Sequence, residues 1–363
     1  MFTAALIGLP MVGKTTIFNL VTAAGLETSK FLSGKSETNV GTALVPDRRI
    51  DFLSQLYRPR KTTYAQIQFS DAPGLVRGAS QGKGVGNRFL DAIRNVQLLV
   101  HVVRIFHEPD VLHVDGIVDS LRDVETINVE LLLADIELVE KRIERIRAGK
   151  KVTKENEAEL AVLHKCLQAL ENEAPVGQLD LTPGERSLLI NYSFFTDKPL
   201  ILVANTDEEQ FRSGDYPGRE RLRQLAAEKG LQFIEICGLV EMEIQQLPGE
   251  DRQPFMEDLG LKETGVGRLA RAAYDTLGLI SFFTVGEDEV KAWTIARGLD
   301  ARRAAGKIHS DLERGFIRAE VVRYEDLEEL GNMARVKEKG LARLEGKDYI
   351  VQDGDIMNIR FNV

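Results

Sequence analysis

One short stretch near the N-terminus has the residue types and spacing that bind phosphate. The segment "GLPMVGKTT", residues 8–16, fits the pattern G-x-x-x-x-G-K-[ST] between an apolar run and a helical pattern. Its glycines let backbone N–H groups close around phosphate oxygens, and a helix start adds favourable partial charge. The lysine reaches the β- and γ-phosphates and the threonine hydroxyl ligates Mg²⁺. An exposed lysine on a glycine-rich turn is the alternative, but the order strand, loop, helix favours a nucleotide. We expect the nucleotide-binding residues here to be Gly8, Met11, Val12, Gly13, Lys14, Thr15 and Thr16.

A second element, "IQFSDAPG", places Asp71 at the end of an alternating apolar run. A carboxylate there would hold Mg²⁺ opposite Thr15, and Gly74 would let the chain move with the γ-phosphate. Taken alone, the segment is also consistent with a turn-forming Asp-x-Pro-Gly. Many such switches continue with a glutamine that orients the attacking water, whereas this chain has Leu75. A leucine cannot hydrogen-bond to water, so we expect slow turnover unless another group supplies this role.

The run "PLILVANTDEE" ends in the N-x-x-carboxylate pattern with which many nucleotide switches bind the base. Guanine offers N1–H and N2–H₂ donors to a carboxylate, but Glu208 is one methylene longer than the usual aspartate. The lysine that packs over the base is replaced by Thr206. Polar mismatch discriminates by a factor of roughly 10⁴ in well-built sites. We therefore expect Asn205, Thr206 and Glu208 to bind the base of ATP, with GTP possible if Asp207 moves into the clamp.

The elements that position these residues alternate between strands and helices. Apolar runs at 2–8, 64–71, 97–103, 200–205 and 232–237 are separated by segments with helical spacing. This alternation is typical of a parallel sheet wrapped by helices. The predicted fold class is therefore α/β, a G-domain-like P-loop NTPase sheet. We assign the nucleotide-binding domain to residues 1–127 and 197–277, an insertion to 128–196, and a further domain to 278–363.

The insertion is predicted to be an antiparallel helical hairpin. Apolar residues recur at helical spacing from Val129 to Ile146, and again from Leu160 to Leu170. The bend between them is basic, with seven lysines and arginines: Lys141, Arg142, Arg145, Arg147, Lys150, Lys151 and Lys154. It is either a solvated turn or a tip that contacts RNA phosphates.

Residues 278–363 have short apolar runs joined by the turn pairs Glu345-Gly346 and Asp353-Gly354, which predicts a compact α+β module.

Composition excludes several classes of protein. The chain has 363 residues and a formal net charge of −9, which argues against a nucleic-acid coat, and we expect no specific DNA site. No apolar run is long enough to cross a membrane, and "MFTAALIG" is interpreted as a core strand and not a signal peptide. Cys166 and Cys237 stand far apart, so a disulfide framework is not expected and a cytoplasmic location is favoured.

Together these motifs resemble the YchF (Obg-like) ATPases, within the Obg-related translation-factor NTPases. The resemblance rests on residues 8–16, 71–75, 78–79, 82–94, 101–106, 111–116, 205–208, 281–294 and 304–321. It implies a C-terminal α+β TGS domain of ubiquitin-like fold and a cytosolic Mg²⁺-dependent ATPase that accepts GTP poorly. It also implies association with ribosomes or ribosomal RNA, through the hairpin tip and the TGS domain. With the glutamine replaced, the resemblance makes His113 a catalytic residue beside Lys14; a structural imidazole is the alternative.

Two positions depart from the family pattern. Met11 stands where an asparagine linked to a potassium site is usual, so a potassium requirement is in doubt. Lys35 stands where a threonine usually ligates Mg²⁺, and a cation cannot take that role. Ser33, Ser36 or Thr38 could substitute, the switch could close weakly, or Lys35 could meet the γ-phosphate.

The leading hypothesis is a slow ATPase that acts as a nucleotide switch on the translation machinery. The alternatives are a GTPase of the same fold and a nucleotide-sensing RNA- or ribosome-binding scaffold with negligible turnover.

Overall fold

The structure is a computed structural model that describes residues 2–23, 38–75, 78, 85–149 and 153–362, without the side chains of residues 85–87. Ser33, Lys35 and Ser36 of the first switch, and Lys150 and Lys151 of the hairpin bend, lie outside these residues.

The strands have the following bounds: β1 Thr3–Ile7, β2 Asn39–Leu44, β3 Lys61–Thr63, β4 Gln66–Asp71, β5 Leu98–Arg104, β6 Leu200–Thr206, β7 Gln232–Cys237, β8 Leu279–Thr284, β9 Glu289–Ala296, β10 Phe316–Arg323, β11 Arg343–Glu345 and β12 Asp355–Phe361. The helices are α1 Lys14–Thr22, α2 Arg48–Tyr57, α3 Val85–Arg94, α4 Ser120–Arg147, α5 Lys154–Glu171, α6 Pro183–Leu188, α7 Glu208–Ser213, α8 Arg219–Glu228, α9 Gly238–Gln246, α10 Gly249–Asp258, α11 Gly265–Thr276, α12 Ala301–Ile308, α13 Ser310–Arg314, α14 Tyr324–Leu330 and α15 Met333–Glu338. None of the described helices is both long enough and apolar enough to cross a membrane.

The chain forms two compact units. The P-loop unit comprises Phe2–Gly41 and Gln68–Val266, and the C-terminal unit comprises Thr42–Ile67 and Gly267–Val363. These bounds differ from the domains assigned from the sequence, because residues 42–67 and 267–277 had been placed with the nucleotide-binding domain. The helical hairpin is part of the P-loop unit.

One six-stranded sheet has the strand order β2-β4-β1-β5-β6-β7. The pairs β4–β1, β1–β5, β5–β6 and β6–β7 are all parallel, which confirms the predicted α/β class. Every residue of β5 is buried, as expected of a central strand covered on both faces. Because parallel strands end at the same edge, the loop after β1, Asp71 at the end of β4 and Asn205 near the end of β6 are brought to one side of the sheet.

The hairpin consists of α4 and α5, capped by Asp119 and Thr153. The short connection between the two helices makes them antiparallel neighbours. Their apolar stripes form a separate core that contains Val139, Ile143, Ile146, Leu163, Cys166 and Leu170. The predicted hairpin is confirmed, although α4 begins at Ser120, before the predicted start of the insertion.

The C-terminal unit contains a mixed sheet with the order β11-β10-β12-β8-β9-β3. β10 is antiparallel to β11 and β12, β12 is parallel to β8, and β8 is antiparallel to β9. Helix α12 contributes Ala301 and Ala304 to its core. The α+β module predicted for 278–363 is present, and it gains a sixth strand from β3, which pairs in parallel with β9.

Candidate nucleotide-binding site

The loop between β1 and α1 is held open by two glycines with left-handed backbone conformations. Gly8 has φ +148° and Gly13 has φ +89°. A Cβ on Gly8 would lie 2.4 Å from the carbonyl oxygen of Val102, and one on Gly13 would lie 2.2 Å from Asn205 Nδ2. Side chains at these positions would therefore clash as well as strain the backbone. Met11 also has a positive φ, 65°.

Lys14 is the first residue of α1 and is buried. Its Nζ donates to the carbonyl oxygens of Gly8, at 3.2 Å, and Leu9, at 2.8 Å. Burial lowers the pKa of Lys14 to about 8, and the Asp71 carboxylate opposes that change. The ammonium group is thus positioned over the loop by backbone oxygens, and the helix start and the loop amides lie beside it.

Thr15 and Asp71 lie on adjacent sides of this loop and contact each other. Thr15 Oγ1 donates to Asp71 Oδ2 at 2.7 Å. Asp71 Oδ1 is buried and has no hydrogen-bond partner among the described residues. Burial raises the pKa of Asp71, against the hydrogen bond from Thr15 and the charge of Lys14. A buried carboxylate oxygen without a donor, next to a hydroxyl, is a donor set that suits a hard cation such as Mg²⁺.

The segment after Asp71 packs closely on the phosphate loop. A Cβ on Gly74 would lie 2.9 Å from Pro10 Cγ and 3.0 Å from the Pro10 backbone. The Leu75 amide donates to the carbonyl of Gly8 at 3.1 Å, and the Leu75 side chain is fully buried. Leu75 is therefore a core residue here, which fits the inference that it cannot orient a water.

Asn205 links the phosphate loop to the first residue of α9. Its Nδ2 donates to the Val12 carbonyl at 3.0 Å, and its Oδ1 accepts from the Gly238 amide at 3.4 Å. The side chain is 4% exposed. Thr206 is equally buried and its hydroxyl donates to the Ile236 carbonyl at 3.4 Å. Asn205 thus ties the phosphate loop to the start of α9, and Thr206 bonds to strand β7.

Asp207 caps helix α7 with one carboxylate oxygen and binds the backbone after β5 with the other. Oδ1 accepts from the Gln210 amide at 2.9 Å, and Oδ2 accepts from the His107 amide at 3.1 Å. Gln210 completes the capping box by accepting from the Asp207 amide. Glu208 points elsewhere, is about half exposed and pairs with Arg212 at 2.7 Å.

An open depression adjoins this cap, lined by His107, Asp207, Glu208, Glu209, Gln210, Arg212, Ser213 and Leu239. His107 and Gln210 were not predicted as site residues from the sequence. The spacing of Asp207 and Gln210 is a capping-box signal that could have identified the second of them.

His113 is buried in a polar cluster at the start of α4. Its Nε2 donates to Asp123 Oδ2 at 2.8 Å, since Nδ1 accepts from the Asp115 amide at 3.1 Å. Arg122 pairs with Asp123 at 2.9 Å and with Asp115 at 3.8 Å. Ligand atoms of His113, Asp115 and Asp123 lie within 4.8 Å of one another. The Arg122 guanidinium offsets one of the two carboxylate charges.

Two buried polar residues of β5 were also missed. His101 Nδ1 and Arg104 Nη1 have no hydrogen-bond partner among the described residues. Burial, with the nearby charge of Lys14, lowers the pKa of His101 to about 3, so this imidazole is neutral. Arg104 lies over the Phe106 ring at 4.5 Å from its centroid, and that ring is close to Gly13. In the sequence, His101 and Arg104 are recognisable only as polar residues within the apolar run of a central strand.

The comparisons with known proteins cover the whole chain. A family model described as "50S ribosome-binding GTPase" matches residues 3–141, and one described as "Protein of unknown function (DUF933)" matches residues 279–362. The "Ribosome-binding ATPase YchF" of Bacillus subtilis (strain 168) is 46% identical, with 99% of each chain covered. The protein with the same name in Escherichia coli O157:H7 is 44% identical over 100% of this chain and 99% of its own. The solved structure of the Schizosaccharomyces pombe YchF GTPase matches with a TM-score of 0.86 and 30% identity, over 99% of this chain and 97% of that one.

Proposed function

The chain belongs to the YchF family of P-loop NTPases, and on that premise we propose that it is a Mg²⁺-dependent ATPase that binds ATP in preference to GTP. We further propose that slow hydrolysis makes it a nucleotide switch that associates with ribosomes. The curated relatives carry the name ribosome-binding ATPase, and nucleoside-triphosphate hydrolysis is the activity that this chain shares with them. A cytoplasmic location accords with such a partner.

The observation that carries the ATP preference is the engagement of Asp207. A guanine clamp needs a free carboxylate that accepts two donors from the base. Both oxygens of Asp207 already accept backbone N–H groups, from Gln210 and His107. Glu208 is paired with Arg212 instead. These two bonds fix the orientation of the Asp207 carboxylate, so guanine would have to reach its remaining lone pairs in that orientation or draw Glu208 away from Arg212, whereas adenine needs no carboxylate.

The phosphate end supports the hydrolase assignment. Gly8, Gly13 and Gly74 give the close backbone approach that phosphates need, and Lys14 lies over the loop. Thr15 and Asp71 are the residues that would hold Mg²⁺, which when bound offsets the charge of the β- and γ-phosphates. The full burial of Leu75 supports slow intrinsic turnover.

The catalytic role of His113 remains a proposal that depends on a change of partner. In the described conformation its Nε2 is bonded to Asp123, so acting on a phosphate-bound water requires that bond to open. Replacing His113 by alanine is expected to lower turnover and leave ATP affinity within about twofold. Equal losses in turnover and affinity would instead indicate a structural imidazole.

The ribosome contact is proposed to involve the exposed cations of the hairpin bend. Arg145, Arg147 and Lys154 are exposed. Arg142 differs from the sequence-based expectation, because its guanidinium pairs with Glu159 at 2.9 Å and contacts the Tyr192 hydroxyl at 3.1 Å.

The C-terminal unit also carries exposed positive charge, which we propose as a second ribosome contact. Arg318 and Arg360 are exposed and directly opposite each other on β10 and β12. Like charges placed opposite each other are destabilising in a sheet unless an anion lies between them. Two double variants test these contacts, one with Arg145 and Lys154 replaced by glutamine and one with Arg318 and Arg360 replaced by glutamine. Each is expected to bind ribosomes less tightly, with an affinity that depends less steeply on salt concentration, while ATP affinity is unchanged.

A calorimetric titration with ATP and GTP, with and without Mg²⁺, tests the proposal while phosphate release is followed in parallel. Tighter ATP binding that depends on Mg²⁺, with slow release, is the expected result. Preferred GTP binding would show that a carboxylate leaves its cap to read the base. That outcome defines the second candidate function, a GTPase, which the name of the Schizosaccharomyces pombe relative favours. Binding without turnover would leave a nucleotide-sensing scaffold, which Leu75 favours.

A further inference from the structure

The loop between β5 and α4 exposes three large apolar side chains. Leu112 is 82% exposed, Ile117 is 74% exposed and Val114 is 39% exposed. Leu112 is the most exposed large apolar side chain in the part of the chain that the structure describes. Single exposed apolar residues are ordinary on a protein surface, whereas a group of them marks a contact with a partner. These three stand within six residues of one loop, so they form such a group.

A tight turn brings these side chains near one another. The Gly116 amide donates to the His113 carbonyl at 3.0 Å, which closes a turn with Val114 at its second position. The ends of such a turn lie within about 7 Å of each other. Leu112 immediately precedes this turn and Ile117 immediately follows it, so both belong to one small patch with Val114 between them. We call Leu112, Val114 and Ile117 the apolar loop surface.

Buried polar contacts on the inner side of the loop hold this surface outward. His113 is buried and its Nε2 donates to Asp123 Oδ2 at 2.8 Å, although both of its neighbours in the sequence are exposed. Arg122 Nη2 donates to the Ile117 carbonyl at 2.6 Å, and its guanidinium pairs with Asp115 at 3.8 Å. The loop thus places polar side chains inside and apolar ones in solvent, the reverse of the ordinary arrangement. Because fixed contacts hold them there, these apolar side chains are preorganised for a partner.

The chain around the apolar loop surface is acidic. Residues 107–119 contain neither lysine nor arginine but four carboxylates, Glu108, Asp110, Asp115 and Asp119. Arg122 offsets only one of these charges, through its pair with Asp115. A surface of this sign repels RNA phosphates, since their binding depends on lysine and arginine. It attracts a protein surface rich in lysine and arginine, which can also bury apolar side chains. The partner that fits is therefore a basic protein.

We propose that the apolar loop surface docks on a basic protein surface of the ribosome. Leu112, Val114 and Ile117 supply the apolar centre of the contact, and Glu108 and Asp110 pair with lysines or arginines at its rim. A contact of this kind rests on the proposed association with ribosomes, and it adds a protein contact to those proposed for the cations of the hairpin bend and the C-terminal unit. The two kinds of contact use surfaces of opposite charge, cations for RNA phosphates and carboxylates for a basic protein.

The first test removes apolar side chains without changing any charge. Leu112→Ser combined with Ile117→Ser is compared with Ile190→Ser, which replaces an isoleucine that is 79% exposed in the same unit but outside the loop. Affinity for purified ribosomes is measured for each full-length variant, and ATP affinity is measured separately without ribosomes. The double variant is expected to bind ribosomes about tenfold more weakly, which corresponds to about 1.4 kcal/mol of lost contact. Ile190→Ser should bind ribosomes as the unmodified protein does, and ATP affinity should be unchanged in every variant.

Reversing one charge decides between a protein and RNA as the partner at this loop. Asp110 is exposed, and Asp110→Lys is expected to weaken ribosome binding about threefold at low salt and by less at high salt. RNA phosphates at the loop would give the opposite sign, with tighter binding by the variant. A photo-crosslinking amino acid in place of Ile117, irradiated with purified ribosomes, should join to a lysine- or arginine-rich segment of a ribosomal protein.

Unchanged ribosome affinity in the double variant, tighter binding by Asp110→Lys, or crosslinks to RNA alone or to nothing would overturn the inference. If the unmodified protein bound nucleotide but no ribosomes, the proposed association with ribosomes would itself be wrong. The two failures are distinguishable, because the unmodified protein binds ribosomes in the first case and does not bind them in the second.

Discussion

Replacing Asn205 by alanine tests whether this side chain builds the phosphate loop or recognises the base. Its amide bridges the Val12 carbonyl and the Gly238 amide, so the phosphate loop and the start of α9 each lose a buried partner in the variant. Adenine and guanine share N7, the acceptor that an asparagine could reach on either base. The expected result is therefore a loss of stability without nucleotide, and an equal loss of affinity for ATP and GTP.

The size of the effect follows from the two hydrogen bonds. A buried backbone group left without a partner costs about 1–3 kcal/mol. The bond to Val12 is 3.0 Å long and the one to Gly238 is 3.4 Å, so the second lies at the weak end. We expect the free energy of unfolding to fall by about 2–4 kcal/mol. If the nucleotide must supply about 1.4 kcal/mol of this free energy to order the phosphate loop in the variant, nucleotide affinity falls about tenfold.

Denaturant unfolding of the nucleotide-free protein measures the first quantity, and calorimetric titration with each nucleotide measures the second. Asn205→Asp should be at least as damaging, because it places a carboxylate oxygen against the Val12 carbonyl. Unchanged stability would refute the bridging role. A tenfold change in the ratio of ATP to GTP affinity would show that Asn205 discriminates between the bases, contrary to this reasoning.

Three further predictions follow from buried or paired groups. Leu75→Gln should raise turnover by no more than about twofold. It should lower the free energy of unfolding by about 1–3 kcal/mol, since an amide replaces a fully buried apolar side chain. Phosphate release that is ten times faster would contradict this prediction. Asp353→Ala should lower the free energy of unfolding by about 1–2 kcal/mol, because Asp353 pairs with Arg49 at 2.9 Å and accepts from the Ser281 amide at 2.9 Å. High salt should reduce only the part of this destabilisation that comes from the ion pair. If high salt removed the whole destabilisation, the hydrogen bond from the Ser281 amide would contribute nothing. Burial raises the pKa of Asp135 from 3.8 to about 6, so folding favours the protonated carboxyl group. The contribution of this group to the free energy of unfolding is therefore fully present below about pH 4 and is lost as the pH rises through about 6. Relative to Asp135→Asn, unfolding free energy of the unmodified protein should therefore fall by roughly 2–3 kcal/mol between pH 4 and pH 7, and parallel pH profiles would refute the assignment.

Much of the fold could be predicted because its signals are local. The five runs predicted as strands of the first sheet are β1, β4, β5, β6 and β7, since apolar runs between helical patterns encode a parallel sheet. The hairpin followed from apolar periodicity in the same way. β2 and β3 were missed, and β3 in particular has only three residues, too few for any period to be recognised.

Site residues could be predicted where the spacing of residues within a single motif indicates what they bind. The phosphate loop, Thr15 and Asp71 were brought together as expected, because strand ends of a parallel sheet share an edge. The base site was harder to predict. Asn205 and Thr206 stay predicted base-binding residues, and in the structure their side chains bond to Val12, Gly238 and Ile236. Arg142 was counted among the cations of the basic bend, but its guanidinium pairs with Glu159, seventeen residues away.

The sequence by itself determined the parts of this protein whose cause lies within a few neighbouring residues. These are the glycines with positive φ in the phosphate loop, the apolar periods of strands and hairpin, and the replacement of a water-orienting glutamine by Leu75. Only the tertiary structure decided which groups far apart in the chain satisfy one another. It assigned Thr42–Ile67 to the C-terminal unit, placed the His107 amide on Asp207 Oδ2, and placed Glu130 on the amide of Gly78. The physical reason is that a buried carboxylate or amide must find a partner wherever the fold supplies one, and partner choice at a separation of fifty or more residues leaves no periodic trace in the sequence.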